Sequence, residues 1–123
     1  MSSLPQKINM AEKFRLFADQ WSPKIVAELN DFYVKLVKVK GEFVWHKHDE
    51  EDEMFYVVAG RMTVKFRNGE ATLGPGEMIV VARGVEHKPV ADAEAHVMII
   101  ERRTTVNTGD AESERTVTEL ERI

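Results

Sequence analysis

The sequence predicts an all-β domain, an antiparallel sandwich or barrel preceded by one short helix. Between residues 24 and 101 the chain is a series of short runs rich in β-branched and aromatic residues. Turn residues separate these runs, among them Asn30-Asp31, Gly60 and Gly74-Pro75-Gly76. No segment of helical periodicity lies between the runs, so the crossover helices of a parallel α/β sheet are not predicted.

Length, charge and cysteine content narrow the class of protein. A chain of 123 residues fits one compact domain. The net charge of -4 is mild and no cluster of Lys and Arg occurs, so neither nucleic acid nor an anionic membrane is expected as a partner. The apolar runs are too short to cross a bilayer and the N-terminus lacks a signal-type apolar region, which favours a soluble cytoplasmic protein. Without cysteine, any metal site must use His, Asp or Glu.

The single helix is predicted near the N-terminus. Asn9 is a typical N-cap with Glu12 three residues later, and Met10, Phe14 and Phe17 follow at helical spacing. Trp21-Ser22-Pro23 ends it. The resulting organisation is an N-terminal arm at 1–23, the β domain at 24–101 and a polar tail at 102–123. The composition of the tail leaves open whether it packs on the β domain, packs on a partner subunit or is disordered.

Seven runs within the β domain are predicted as strands. The clearest hairpin surrounds Arg67-Asn68-Gly69, because Asn-Gly suits the positive-φ positions of a tight turn between 62–66 and 71–73. The predicted strands are 24–29, 32–40, 43–48, 53–59, 62–66, 78–81 and 95–101.

The run His46 to Glu53 holds two of the four histidines beside five consecutive acidic residues. Side chains alternate faces along a strand, so His46 and His48 point the same way and could present two imidazoles to one metal. Glu53 begins the next predicted strand on the face that carries Phe55 and Val57. A carboxylate on that apolar face needs a cation or hydrogen bonds.

His87 follows the Gly84 turn, and a barrel can bring it beside the other three residues. Three histidines and one carboxylate suit a divalent transition metal, namely Fe, Mn, Ni, Co, Cu or Zn, with coordination positions left open. An alternative remains on these grounds: the histidines could lie on the surface beside an exposed acidic loop at 49–52.

The spacing of these residues resembles the first motif of the cupin family. That motif runs Gly, a short gap, His-x-His, three or four residues, Glu, six residues, Gly. Here the corresponding residues are Gly41, His46, His48, Glu53 and Gly60. The interval to Gly60 selects Glu53 over Glu51 and Asp52.

The segment from Gly76 to His87 is similar to the second cupin motif. Ala82 stands where the family usually has proline, and Ala91 where it often has asparagine. The Gly41-to-His46 gap is also one residue shorter than usual. None of these differences removes a ligand.

The resemblance implies a jelly-roll β-barrel with one metal held by His46, His48, Glu53 and His87. It also implies a homodimer formed through N-terminal strands, and a small-molecule ligand or substrate. The family includes isomerases, epimerases, decarboxylases and dioxygenases, so a metal-dependent dioxygenase or a sugar or sugar-phosphate isomerase is expected. The alternative is a non-catalytic module that binds a small ligand through the same barrel.

His96 is the fourth histidine and shares a strand face with Met98 and Ile100. It is a candidate catalytic residue, since an imidazole titrates near neutral pH and could act as acid or base. The alternative is a core or rim histidine hydrogen-bonded to a backbone carbonyl.

Overall fold

The computed structural model describes residues 4–123, and the first three residues of the predicted N-terminal arm lie outside that range. The predicted short helix is confirmed as α1, Met10–Phe14. The Asn9 side chain accepts a hydrogen bond from the backbone N–H of Glu12 at 3.0 Å, as expected of an N-cap. Among the described residues no helix has the length and apolar character needed to span a membrane.

The all-β prediction is also confirmed. The strands are β1 Lys24–Leu29, β2 Phe32–Glu42, β3 Glu53–Ala59, β4 Met62–Phe66, β5 Gly69–Leu73, β6 Met78–Val81, β7 His87–Arg102 and β8 Glu121–Arg122. Strands β1, β3, β4 and β6 have the predicted bounds, and β2 and β5 are slightly longer than predicted. The pairs among β1 to β7 are antiparallel, as predicted, whereas β8 runs parallel to β1.

The long strand β7 is the centre of the jelly-roll sheet. The hydrogen-bonded order is β5-β4-β7-β2-β1-β8, and β3 pairs with both β6 and β7. Along one edge β7 pairs with β2, and along the other it pairs first with β4 and then with β3. Residues at both ends of β7 therefore meet residues from several other strands.

One predicted strand is absent, and another is only part of a longer strand. The run 43–48 forms no strand, because the chain turns at Gly41 (φ 79°) and then pairs with β7 only at Phe43 and His46. The run 95–101 is the second part of a strand that begins at His87. In β7, residues 92–94 lie opposite only Lys40, since Val39 pairs with Ala95 and Gly41 with Ala91. This exposed bulge has the composition of a loop.

The core lies on the inward face of these strands. The alternation along β7 is regular after the bulge, with Ala95, Val97 and Ile99 buried. Apolar side chains from the facing strands complete it, including Val37, Val39, Phe55, Val57, Met62 and Val64. The polar groups described next share this inward face.

Candidate metal centre

The structure brings together the four predicted ligand residues. One potential ligand atom from each of His46, His48, Glu53 and His87 lies within 4.8 Å of the other three, and all four residues are buried. Glu53 is the first residue of β3 and His87 the first residue of β7. His46 is joined to His87 by two backbone hydrogen bonds, from His46 N–H to the His87 carbonyl at 3.0 Å and in reverse at 2.8 Å. Four residues from three separate parts of the chain are thereby positioned to bind a metal ion.

The orientation of two imidazoles is set by nearby backbone carbonyls. Nδ1 of His46 lies 2.8 Å from the Val44 carbonyl oxygen, and Nδ1 of His87 lies 2.9 Å from that of Val85. A carbonyl oxygen can only accept, so each neutral ring carries its proton on Nδ1. The lone pair is then on Nε2. Metal-binding histidines commonly have this arrangement, in which the second nitrogen donates to a carbonyl.

Glu53 and His48 supply the clearest sign that a group is needed between these side chains. Oε1 of Glu53 lies 3.2 Å from Nε2 of His87 and 3.4 Å from Nε2 of His48. Neither ring nitrogen of His48 has a hydrogen-bond partner, although the residue is only 4 % exposed. Buried polar atoms without partners are costly, and a metal ion would satisfy this imidazole. The residues present therefore fit a divalent transition metal.

The charge state of the carboxylate also suits a cation. Burial by itself raises the pKa of Glu53, but the interactions with His48 and His87 outweigh it and hold the pKa well below its ordinary value. Glu53 is consequently an anion at neutral pH.

The metal-free protein should lose stability in mild acid because of His46. Burial, together with the nearby His87, lowers the pKa of His46 from 6.5 to about 4. As the pH falls from 6.5 towards 4, the unfolded chain takes up a proton that the folded chain refuses. The free energy of unfolding should therefore fall, by about 3 kcal/mol over the whole window. Urea denaturation of chelator-treated protein at several pH values measures it.

The matched variants for this prediction are His46→Asn and His96→Asn. The first should flatten the pH dependence between 6.5 and 4, while the second should keep the wild-type slope. Equal slopes in wild type and His46→Asn would show that another group causes the acid sensitivity.

A second pair of buried charged residues was missed by sequence reasoning. Lys35 Nζ lies 2.8 Å from Glu101 Oε1, and both side chains are 1 % exposed. Burial and the nearby negative charge of Glu53 raise the pKa of Glu101 well above its ordinary value, whereas Lys35 lowers it. The available signal was strand alternation, because Glu101 shares the face of Val97 and Ile99, and Lys35 that of Val37.

A small cavity borders two of the four residues, His46 and Glu53. Its volume is about 30 Å³, which is enough for water but far below a typical ligand pocket of about 300 Å³ or more. His46, Glu53 and Glu101 contribute polar groups to its wall. The other lining residues are mainly apolar and include Trp21, Phe43, Phe55, Met62, Val97 and Ile99.

The C-terminal segment, residues 103–123, packs against this end of the β domain. The backbone N–H of Asp110 donates to the Lys47 carbonyl at 3.1 Å, and the Asp110 carboxylate accepts from the Lys47 N–H at 2.9 Å. Gly109 lies directly against the segment that carries His46 and His48: a Cβ built there would be 2.1 Å from the Lys47 carbonyl oxygen and 3.2 Å from the His46 ring. Thr108 is fully buried, and Asn107 lines the cavity. The polar tail thus covers one side of His46, a predicted metal ligand.

His96 lies away from this group, on the outward face of β7. Its ring stacks on Phe14 of α1 with the centroids 4.4 Å apart, and Nε2 lies 3.5 Å from a Glu94 carboxylate oxygen. The structure does not bring it to the other three histidines. Trp45 also points outward, with the Arg67 guanidinium 3.9 Å above its ring.

Fold and site together define a small β protein with one interior cluster of metal-binding side chains. The family model described as "Cupin domain" matches residues 33–102, and the chain belongs to the cupin family. This span contains all four clustered residues together with Lys35 and Glu101.

Three proteins similar to the chain, two of them known as solved structures, carry no assigned activity in their names. A cupin-2 domain containing protein from Shewanella frigidimarina is 53 % identical, with a TM-score of 0.77 over 78 % of this chain and 94 % of that one. Protein NMB1881 from Neisseria meningitidis is 32 % identical, with a TM-score of 0.73 over 79 % and 99 %. The uncharacterized protein YdbB of Bacillus subtilis is 33 % identical over 64 residues, which is 51 % of this chain and only 57 % of YdbB.

Proposed function

We propose that the protein is a metal-dependent enzyme that acts on a small oxygen-containing molecule. The observation that carries this proposal is the buried His48 imidazole, whose two nitrogens lack partners beside three other potential ligands. His46, His48, Glu53 and His87 would hold one divalent transition metal. Such a metal supplies Lewis-acid polarisation of a substrate oxygen or activation of dioxygen.

The protein's own side chains would prepare the site in three ways. The carbonyls of Val44 and Val85 fix the rings of His46 and His87 with Nε2 inward. Glu53 supplies the negative charge. The apolar wall that includes Trp21 and Phe43 would limit the water around the metal and strengthen electrostatic interactions there.

The interior charges favour a substrate without a phosphate group. Among the described residues no Lys or Arg lines this cavity, and the buried Lys35 is already paired with Glu101. A phosphoryl group needs Arg, Lys or helix N-terminal N–H groups. Interior charge therefore favours one of the two predicted activities. It supports dioxygenase chemistry on a largely apolar substrate that carries an oxygen atom more than it supports sugar-phosphate isomerisation.

Turnover assays on tag-free protein would test this function. Oxygen uptake and product formation would be measured across diketones, thiols, amino-acid derivatives and sugar phosphates, with His48→Ala as the variant lacking a ligand. Metal-dependent turnover of one class would support the enzyme. Ligand-induced thermal stabilisation without turnover would favour the alternative, a module that binds a small ligand.

We also propose that the protein is a cytoplasmic homodimer. Met78 and Val80 on the outward face of β6 are 50 % and 56 % exposed, and β6 pairs only with β3 in residues 4–123. The strand register aligns Val80 with Met54 and Ile100, and Met78 with Tyr56 and Met98, forming two apolar rows. A second copy covering these rows would remove apolar area from water and protect an edge strand.

The dimer should dissociate when charge is placed on the exposed part of this face. Light scattering is expected to show a dimer for the wild type and a monomer for Val80→Glu, since an unpaired carboxylate would be buried in the interface. Val106→Glu is the matched control, because Val106 is 41 % exposed but lies in the C-terminal segment. A wild-type monomer, or a Val80→Glu dimer, would contradict the proposed interface.

A further inference from the structure

The hydrogen-bonded pair of Lys35 and Glu101 lies beside the proposed metal ligand Glu53. Strand β7 separates β2 from β3 in the sheet, so Glu101 on β7 stands between Lys35 on β2 and Glu53 on β3. Glu53 and Glu101 are direct cross-strand partners, and residues in such pairs have Cβ atoms about 4.5–5.5 Å apart. The three charged side chains therefore form a row in the order ammonium, carboxyl, carboxylate.

All three side chains are buried, so each charge depends on its neighbours in the row and not on water. Among the described residues, only two carboxylates are buried, Glu53 and Glu101. A buried ammonium without a counter-ion is strongly disfavoured, so Lys35 must interact with one of them. If Glu101 were absent, the remaining buried partner for Lys35 would be Glu53.

A lysine and a metal ion would then compete for the same carboxylate. The ammonium would neutralise Glu53 and repel a divalent cation placed beside it. Only one oxygen of Glu101 is used by Lys35, while Oε2 is buried and has no hydrogen-bond partner. Glu101 also lines the cavity with Glu53.

We propose that Glu101 is a positioning residue that holds the Lys35 ammonium and so keeps Glu53 available as a metal ligand. This inference rests on the proposed metal centre and goes beyond it, since it assigns a role to two residues outside the ligand set. It follows that Glu101 matters for metal binding only while Lys35 is present.

A double-mutant cycle tests this dependence. The dissociation constant for Co²⁺, and the visible spectrum of bound Co²⁺, would be measured for wild type, Glu101→Gln, Lys35→Met and the double variant. Glu101→Gln should weaken Co²⁺ binding about tenfold or more, the loss typical when a group supporting a ligand is removed. Adding Lys35→Met should restore the constant to within about threefold of wild type, because replacing both members of a buried pair is well tolerated. A merely structural role predicts no recovery.

The control variant is Lys24→Met. Lys24 is also a buried lysine in an ion pair, 2.8 Å from Asp19 and 3.1 Å from Glu121, but neither partner is a predicted ligand. Its loss should change the urea midpoint and leave Co²⁺ affinity within about threefold of wild type. If Glu101→Gln does not fold, comparing Lys35→Met with the double variant still decides, since these two should bind Co²⁺ alike.

The outcomes separate this inference from the proposed function. Equal weakening in Glu101→Gln and the double variant, or a tenfold loss caused by Glu101→Gln when residue 35 is Met, would overturn it. A wild-type protein that binds no Co²⁺ would overturn the metal centre and this inference with it. If Co²⁺ affinity recovers in the double variant but no substrate class is turned over, the proposed enzyme function is contradicted and the role of Glu101 is supported.

Discussion

Replacing His48 with alanine should abolish stable metal binding. Tag-free wild-type protein is expected to carry close to one divalent metal per chain, and His48→Ala or Glu53→Gln only a small fraction of that. Losing one of four ligands should cost more than the roughly 10–100-fold in affinity that loss of an outer-shell partner costs. Elemental mass spectrometry measures the content. Added metal should also stop raising the thermal midpoint of the variants.

His96→Ala is the matched control for this result. It removes an imidazole from the same domain, but from the outward face of β7, where the ring stacks on Phe14. Its metal content should equal that of the wild type. Full metal occupancy in both His48→Ala and Glu53→Gln would show that the ion binds elsewhere. Metal loss in His96→Ala would show that His96 contributes to metal binding.

Gly109→Ala should detach the C-terminal segment from the metal site. The backbone at Gly109 has φ 54°, and the added Cβ would lie 2.1 Å from a backbone oxygen, which cannot move aside as a flexible side chain could. The two hydrogen bonds between Asp110 and Lys47 would be lost as the segment shifts. The expected results are faster proteolysis within 103–123 and faster removal of metal by a chelator.

Gly76→Ala separates the clash from the backbone strain. Gly76 has φ 84°, and nothing lies within 4 Å of a Cβ added there. Both variants carry the strain of a left-handed alanine, about 1–2 kcal/mol. Gly109→Ala should lose about 2 kcal/mol more of the free energy of unfolding. Equal losses in urea denaturation, with no change in chelator rate, would mean that the segment does not bear on the centre.

Local patterns in the sequence predicted much of this fold, for physical reasons that can be traced to particular residues. The ends of β3, β4 and β6 coincide with turn residues, namely Gly60, Asn68-Gly69 and Gly84. These residues marked the strand ends in the sequence. The helix start was readable because the Asn9 side chain caps it locally. Strand alternation grouped His46 with His48, although the run 43–48 is not a strand in the structure. The Gly84 turn of a barrel brought His87 beside them, and the cupin spacing to Gly60 selected Glu53 from the acidic run.

Features decided by distant parts of the chain were not predicted. The bulge at residues 92–94 looks like a loop because its residues are polar or small, and only pairing with β2 reveals one continuous strand. The C-terminal segment has little apolar surface, and its position depends on hydrogen bonds to Lys47. Alternation could have placed Lys35 and Glu101 on inward faces, but their contact joins residues 66 positions apart, and no local pattern encodes that pairing.

The reciprocal backbone hydrogen bonds between His46 and His87 make ligand spacing a property of the main chain. Two of the four prospective ligands are held at one separation by peptide groups, which every amino-acid substitution except proline retains. The apolar residues around the cavity can then vary in size and shape without resetting the distance between these imidazoles. The spacing of these two prospective ligands and the shape of the cavity can therefore change independently as the sequence varies. The backbone hydrogen bonds fix the first, and the side chains of the wall determine the second.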